Sequence, residues 1–119
     1  MTQENKDLLL RDLCARLPYG VKVESVFINP DTKEHKSCGI EVFDATSILM
    51  IRDGLGEFKP YLFPLSSMTE EQEKEWRYTL SSDGNITYDT VDWFHKNHFD
   101  YHGLIPMGLA NDATGKDIY

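Results

Sequence analysis

The sequence predicts an α+β protein, because strand-like segments group in the middle of the chain and helical segments flank them. Apolar residues recur at helical spacing near the start, β-branched residues lie between turn signals in the middle, and capping patterns return in the last third. We therefore expect an N-terminal helix, an antiparallel meander of three to four strands, two C-terminal helices and an irregular packed tail. The length of 119 residues fits a single globular domain, residues 1–119.

The first predicted helix has an apolar stripe and a clear end. Leu13 and Leu17 continue a pattern of leucines at helical spacing, and Pro18 and Gly20 then end the helix. Cys14 lies among these leucines, so we expect it to be a small buried residue.

Strands are predicted at four segments in the middle of the chain. They are residues 21–28, 38–43, 47–52 and 58–65. Asp53 and Gly54 form a turn pair between the last two. Because Pro60 and Pro64 each lack the N–H that a ladder requires, we expect the fourth strand at an edge of the sheet and not at its centre.

Two helices and a tail are predicted for the last third. Thr69 and Gln72 fit a capping box at the start of the first helix. The second helix is predicted to start at Thr87 and to end at Gly103. Residues 104–119 contain glycines and a proline, so we expect a tail whose first half packs on the core and whose end frays.

The charge balance bears on the class of partner. Twelve basic and twenty acidic residues give a net charge of −8, which argues against binding nucleic acid or anionic membranes. Solubility alone explains such a charge, and a protein partner with a basic surface is the other interpretation. Cys14 and Cys38 form no CxxC pair and no secretory segment opens the chain, so we expect a cytoplasmic protein.

Three segments resemble a group of small uncharacterised proteins encoded in gut-bacterial genomes, often in prophages or integrated elements. The segments are residues 7–21, residues 59–71 (KPYLFPLSSMTEE) and residues 98–105 (HFDYHGLI). The resemblance implies an accessory protein of a phage or mobile element and transfers no catalytic residue. That group often has Arg where Phe63 and His102 stand here.

A histidine cluster is the first candidate for chemistry. Asp92, His95, His98 and His102 would lie near one stripe of a continuous helix, and a divalent metal needs three or four such ligands. Histidines that pack or cap the fold are the alternative interpretation.

Acid–base catalysis is the second candidate, because Asp89, Asp92 and Asp100 lie near those histidines. The carboxylates Asp89 and Asp92 also suit the first turns of a helix without any catalysis. Gly54 and Gly56 lack the helix that a phosphate loop requires and indicate a hairpin turn. The sequence contains no cofactor-binding motif, so we expect no cofactor.

A partner surface is the third candidate. Tyr61 and Phe63 lie between two prolines on a predicted edge strand and could form an exposed aromatic patch, with core packing as the alternative. We therefore expect a non-enzymatic accessory protein that binds an unknown protein partner, as a monomer or small homo-oligomer. A small metal-dependent or acid–base enzyme that uses Asp92, His95, His98 and His102 is the alternative function.

Overall fold

The computed structural model describes residues 2–119 and confirms the α+β class. The described residues form a mixed five-stranded sheet and four α-helices. The order of N-terminal helix, strands and C-terminal helices fits the expectation, except that a helix separates the second and third strands and two short strands follow the last helix. The elements are α1 Gln3–Ala15, β1 Lys22–Ile28, β2 His35–Val42, α2 Ala45–Arg52, β3 Gly56–Pro64, α3 Glu70–Tyr78, α4 Tyr88–Lys96, β4 Phe99–Asp100 and β5 Asn111–Asp112. Short 3-10 turns cover Leu17–Tyr19 and Leu65–Ser67.

The sheet has the order β2-β1-β3-β4, and β5 also pairs with β3. β1 pairs antiparallel with β2 and with β3, whereas β4 and β5 run parallel to β3. A bulge interrupts the β1–β2 pair: Ser25 lies opposite Gly39 and Val26 lies opposite Ser37, so Cys38 is an extra residue in β2.

The expectation that the fourth predicted strand lies at an edge is wrong. β3 lies between β1 and β4 in the sheet and pairs with three other strands. Its residues 56–60 pair with β1, and its residues 61–64 pair with β5 and β4. Pro60 is the last residue of β3 that pairs with β1, and Tyr61 is the first that pairs with β5. The strand tolerates a residue without an N–H at this point because the ladder changes partner there.

The third predicted strand, residues 47–52, is also wrong, because this segment lies in helix α2. Asp44 caps the helix: its side chain accepts from the Ser47 backbone N–H, and the Ser47 hydroxyl accepts from the Asp44 N–H. A short apolar run fits a strand or a buried helix equally well, and this capping box favours the helix.

The second C-terminal helix begins at the predicted cap, Thr87, but ends before Gly103. α4 stops at Lys96, and His98 adopts a left-handed backbone conformation with φ of 61°. The chain then enters β4, so residues 98–102 do not continue the helical stripe. A left-handed residue ends a helix because the following chain must turn away from its axis.

The core lies between α1, α2 and one face of the sheet, and the tail contributes to it. Its buried members include Leu13 of α1, Val23 of β1 and Leu62 of β3. Leu104 and Leu109 are also buried there, which confirms that the first half of the tail packs on the core. Fully burying such a side chain contributes about 1.5–3 kcal/mol.

Two smaller expectations are corrected. Cys14 is exposed, because it follows Leu13 by one residue and lies about 100° away around the helix. The end of the tail, which was expected to fray, contacts the sheet: the Tyr119 hydroxyl accepts from the Lys22 N–H and donates to the Tyr61 carbonyl oxygen. Among residues 2–119, no helix is both long and apolar enough to cross a membrane.

Candidate functional site

A buried ion pair at the end of α1 is the centre of a polar network. Asp12 and Arg16 lie one helical turn apart, and both side chains are fully buried. Arg16 donates from Nε to Asp12 Oδ1 at 2.6 Å and from Nη2 to the carbonyl oxygen of Phe99, also at 2.6 Å. The pair therefore joins the N-terminal helix to β4, 83 residues later in the chain.

His102 is the third member of the network. Its Nδ1 lies 2.7 Å from Asp12 Oδ2, and its side chain remains 29% exposed. When Nδ1 carries the proton, it donates to the carboxylate, and Nε2 is left as the basic nitrogen of the ring. A carboxylate that orients an imidazole in this way is the arrangement used by general bases.

Tyr101 and His95 extend the network. His95 Nε2 and the Tyr101 hydroxyl lie 2.7 Å apart, and the Arg16 guanidinium lies 5.5 Å from the centre of the Tyr101 ring. Burial, followed by the charge of Arg16, lowers the pKa of His95. Burial, followed by the charge of Asp12, raises the pKa of Tyr101. Both shifts favour the neutral forms of His95 and Tyr101.

The four predicted metal ligands do not surround one point. Asp92 accepts a hydrogen bond from Tyr19, His95 contacts Tyr101, and His102 contacts Asp12. His98 instead stacks on Tyr119, with ring centres 3.7 Å apart. Within residues 2–119, no group of three or more His, Cys, Asp or Glu residues could hold a metal ion.

The remaining predicted acid–base residues lie apart from this network or serve the backbone. Asp100 is buried, and its carboxylate accepts from the backbone N–H groups of Leu104 and Ile105. Asp89 lies in the first turn of α4, where the helix dipole stabilises a carboxylate. Asp100 is therefore held by two backbone N–H groups, and Asp89 lies where a helix favours a carboxylate.

Tyr61 and Phe63 do not form the exposed patch that the sequence suggested. Tyr61 is only 7% exposed, and Phe63 packs against Phe99 and Tyr119. The reason is the position of β3 inside the sheet, where the tail covers its second half.

A separate apolar groove lies between α3, α4 and the turn after β3. Its volume is about 350 Å³. Its apolar lining consists of Leu65, Met68, Trp76, Ile86, Val91 and Phe94. Glu73 and Tyr101 complete the lining, so Tyr101 belongs both to the groove and to the buried network.

The surroundings of the groove are acidic and partly apolar. Ile86 is 67% exposed at its wall, and the side chains of Tyr78 and Tyr88 are almost fully exposed nearby on α3 and α4. Exposed carboxylates follow one another along α3, namely Glu70, Glu71, Glu73 and Glu75. The groove therefore presents an apolar floor beside a helix with four glutamates and two basic residues, and one of these, Arg77, pairs with Glu73.

Sequence reasoning missed Asp12, Arg16 and Tyr101 as members of a site. An acid and a base four residues apart on a helix are typical of an exposed ion pair, so their spacing gave no signal of burial. The position of Asp12 and Arg16 beside the buried stripe residue Leu13 was the available clue.

Comparisons of this chain with protein-family models, with curated proteins and with solved structures found no match.

Proposed function

We propose that this protein is a non-enzymatic accessory protein that binds a protein partner through the groove between α3 and α4. The observation that carries the proposal is the exposed apolar lining, above all Ile86 and Leu65, at 67% and 44% exposed. Contiguous exposed apolar side chains around a concave surface are typical of protein interaction sites.

The chemistry of the groove favours an amphipathic helix with basic residues as its occupant. A helix would place side chains at i, i+3 and i+4 into the apolar floor. A basic residue of that helix would meet Glu73, which lines the groove and pairs with Arg77, in a chain whose net charge is −8. Complementary charge speeds association and selects among partners. The resemblance to phage and mobile-element proteins supports a partner encoded by the host or by the element.

A fluorescence titration tests this assignment, because Trp76 lines the groove. The probe is a synthetic amphipathic helix composed of leucine and lysine. We expect a saturable blue shift with the wild type and at least about tenfold weaker binding with Ile86→Glu, a loss of about 1.4 kcal/mol. The added carboxylate by itself attracts a cationic peptide and would strengthen binding. Weaker binding would therefore show that an apolar contact of Ile86 has been lost.

The matched control is Leu49→Glu, which adds the same charge at an exposed leucine of α2. It should bind the probe like the wild type. Equal binding of the peptide by Ile86→Glu and Leu49→Glu would show that the groove is not its binding site. In gut-bacterial cells, the same three baits should capture a partner with the wild type and Leu49→Glu but not with Ile86→Glu.

Acid–base catalysis is the second candidate function, and the Asp12–His102 contact of 2.7 Å favours it. His102 would act as the general base through Nε2, with Asp12 holding the ring in place. The test is hydrolysis of chromogenic esters and phosphate esters. Turnover that His102→Gln abolishes, and that His35→Gln at an exposed histidine retains, would support catalysis. No turnover by the wild type would count against it.

A further inference from the structure

The outer strand β2 is a free edge of the sheet. All eight of its residues are exposed, including Ile40 at 51% and Val42 at 49%, and among residues 2–119 its strand partner is β1. An unpaired edge presents backbone N–H and C=O groups that can pair with another strand. This edge lies on different residues from the groove.

The bulge at Cys38 changes which side chains of β2 share a face. Lys36 lies opposite Phe27, and Glu41 lies opposite Val23. Phe27 and Val23 are four residues apart in β1 and so lie on one face of the sheet. Lys36 and Glu41 therefore share that face, although five residues separate them. Without the extra residue they would lie on opposite faces.

This shared face matters for pairing between two copies of the chain. A two-fold axis that makes two edge strands antiparallel is perpendicular to the sheet, so directly opposite residues must come from the same face. Full overlap of residues 35–42 with a second copy places Lys36 opposite Glu41, which meets this requirement. The extra residue Cys38 of each strand lies next to the two-fold axis. On both sides of the axis, directly opposite residues therefore still come from the same face of the sheet.

We propose that β2 is a homodimer interface in which two copies pair antiparallel over residues 35–42 and join their sheets. Each Lys36 then faces a Glu41 of the other copy, which gives two opposite-charge pairs and no like-charge pair. Ile40 would lie opposite Ser37, and Val42 opposite His35. The interface consists of one short exposed strand from each copy, so we expect a weak dimer whose population depends on concentration.

Sedimentation velocity from micromolar to millimolar protein tests the dimer. We expect the average mass of the wild type to rise toward that of two chains. Lys36→Glu and Glu41→Lys should each weaken the dimer by about tenfold or more, because each places like charges opposite one another twice. An equimolar mixture of the two variants should recover association, because one chain then offers two lysines and the other two glutamates.

The control for net charge is Lys74→Glu on α3, which makes the same charge change as Lys36→Glu away from the edge. It should dimerise like the wild type. A wild type that stays monomeric throughout, single variants that dimerise normally, or a mixture that fails to associate would each overturn the proposal. Ile86→Glu leaves β2 intact, so failure of the groove and failure of the dimer are distinguishable.

Discussion

The His98 imidazole lies in surroundings that disfavour its charged form. Its ring is half-buried, stacks on Tyr119, and has no hydrogen-bond partner at Nδ1 among residues 2–119. Burial, followed by the positive charges of Arg16 and Lys22, lowers its pKa to about 4. The imidazole is therefore neutral near pH 7 and packs against the Tyr119 ring as an aromatic group.

This setting predicts a pH dependence of stability. Because the folded-state pKa lies below the unfolded-state value of about 6.5, the unfolded chain binds the proton more readily. The free energy of unfolding is therefore fully retained above about pH 6.5 and is lost as the pH falls toward about 4. Between about pH 8 and 5, we expect His98 to lower the free energy of unfolding by about 1–2 kcal/mol. Partial solvation of the ring keeps this loss below what the full pKa shift would give.

Urea unfolding at both pH values measures this loss, with His98→Asn as the variant. Asn tolerates the left-handed backbone that His98 adopts, so the fold is preserved. The variant should lose less stability on acidification than the wild type. Identical pH dependence in the two proteins would show that His98 does not titrate as expected.

At the scale of elements, the capping boxes decide where helices begin. Thr69 and Thr87 were identified from the sequence as helix caps, and both caps are formed. Asp44 and Ser47 form a third box, although the apolar run after Asp44 has the pattern of a strand. Local hydrogen bonds at the cap therefore overrode β-propensity in a segment of only eight helical residues.

The Asp44 cap gives a prediction about α2. Asp44→Ala removes the acceptor for the Ser47 N–H and should lower the free energy of unfolding by about 1 kcal/mol. Asp44→Asn keeps a side-chain acceptor and should lose less. Chemical denaturation of both variants measures the difference. Equal stability of Asp44→Ala and the wild type would mean that the cap contributes nothing to this helix.

At the scale of the whole molecule, contacts between distant segments hold the sheet and the tail together. Arg16 joins α1 to β4, and Tyr119 bridges Lys22 and Tyr61, which belong to neighbouring strands. Burial raises the pKa of Tyr119 to about 12, so its hydroxyl stays protonated and continues to donate. The two contacts position the segments that carry His98 and His102.

Removing the Tyr119 hydroxyl tests the second of these contacts. Tyr119→Phe keeps the ring against His98 but leaves the Lys22 N–H and the Tyr61 carbonyl without this partner. We expect a loss of about 1–2 kcal/mol in thermal or urea unfolding. Tyr88→Phe, at a side chain that is 96% exposed, is the control and should have no effect. Similar stability of the two variants would show that the Tyr119 hydroxyl does not stabilise the fold.

The sequence by itself determined the α+β class, the first helix, the first two strands and the capped starts of α3 and α4. These features follow from periodicity and caps, which act between residues close in the chain. The tertiary structure decided the place of β3, the burial of Asp12 with Arg16 and the separation of His98 from His102. These depend on contacts between residues far apart in the chain: β3 takes its neighbours from both ends, and Arg16 finds Phe99 only in the fold. Charge spacing and proline content do not encode such contacts, so the candidate sites emerged only from the packed chain.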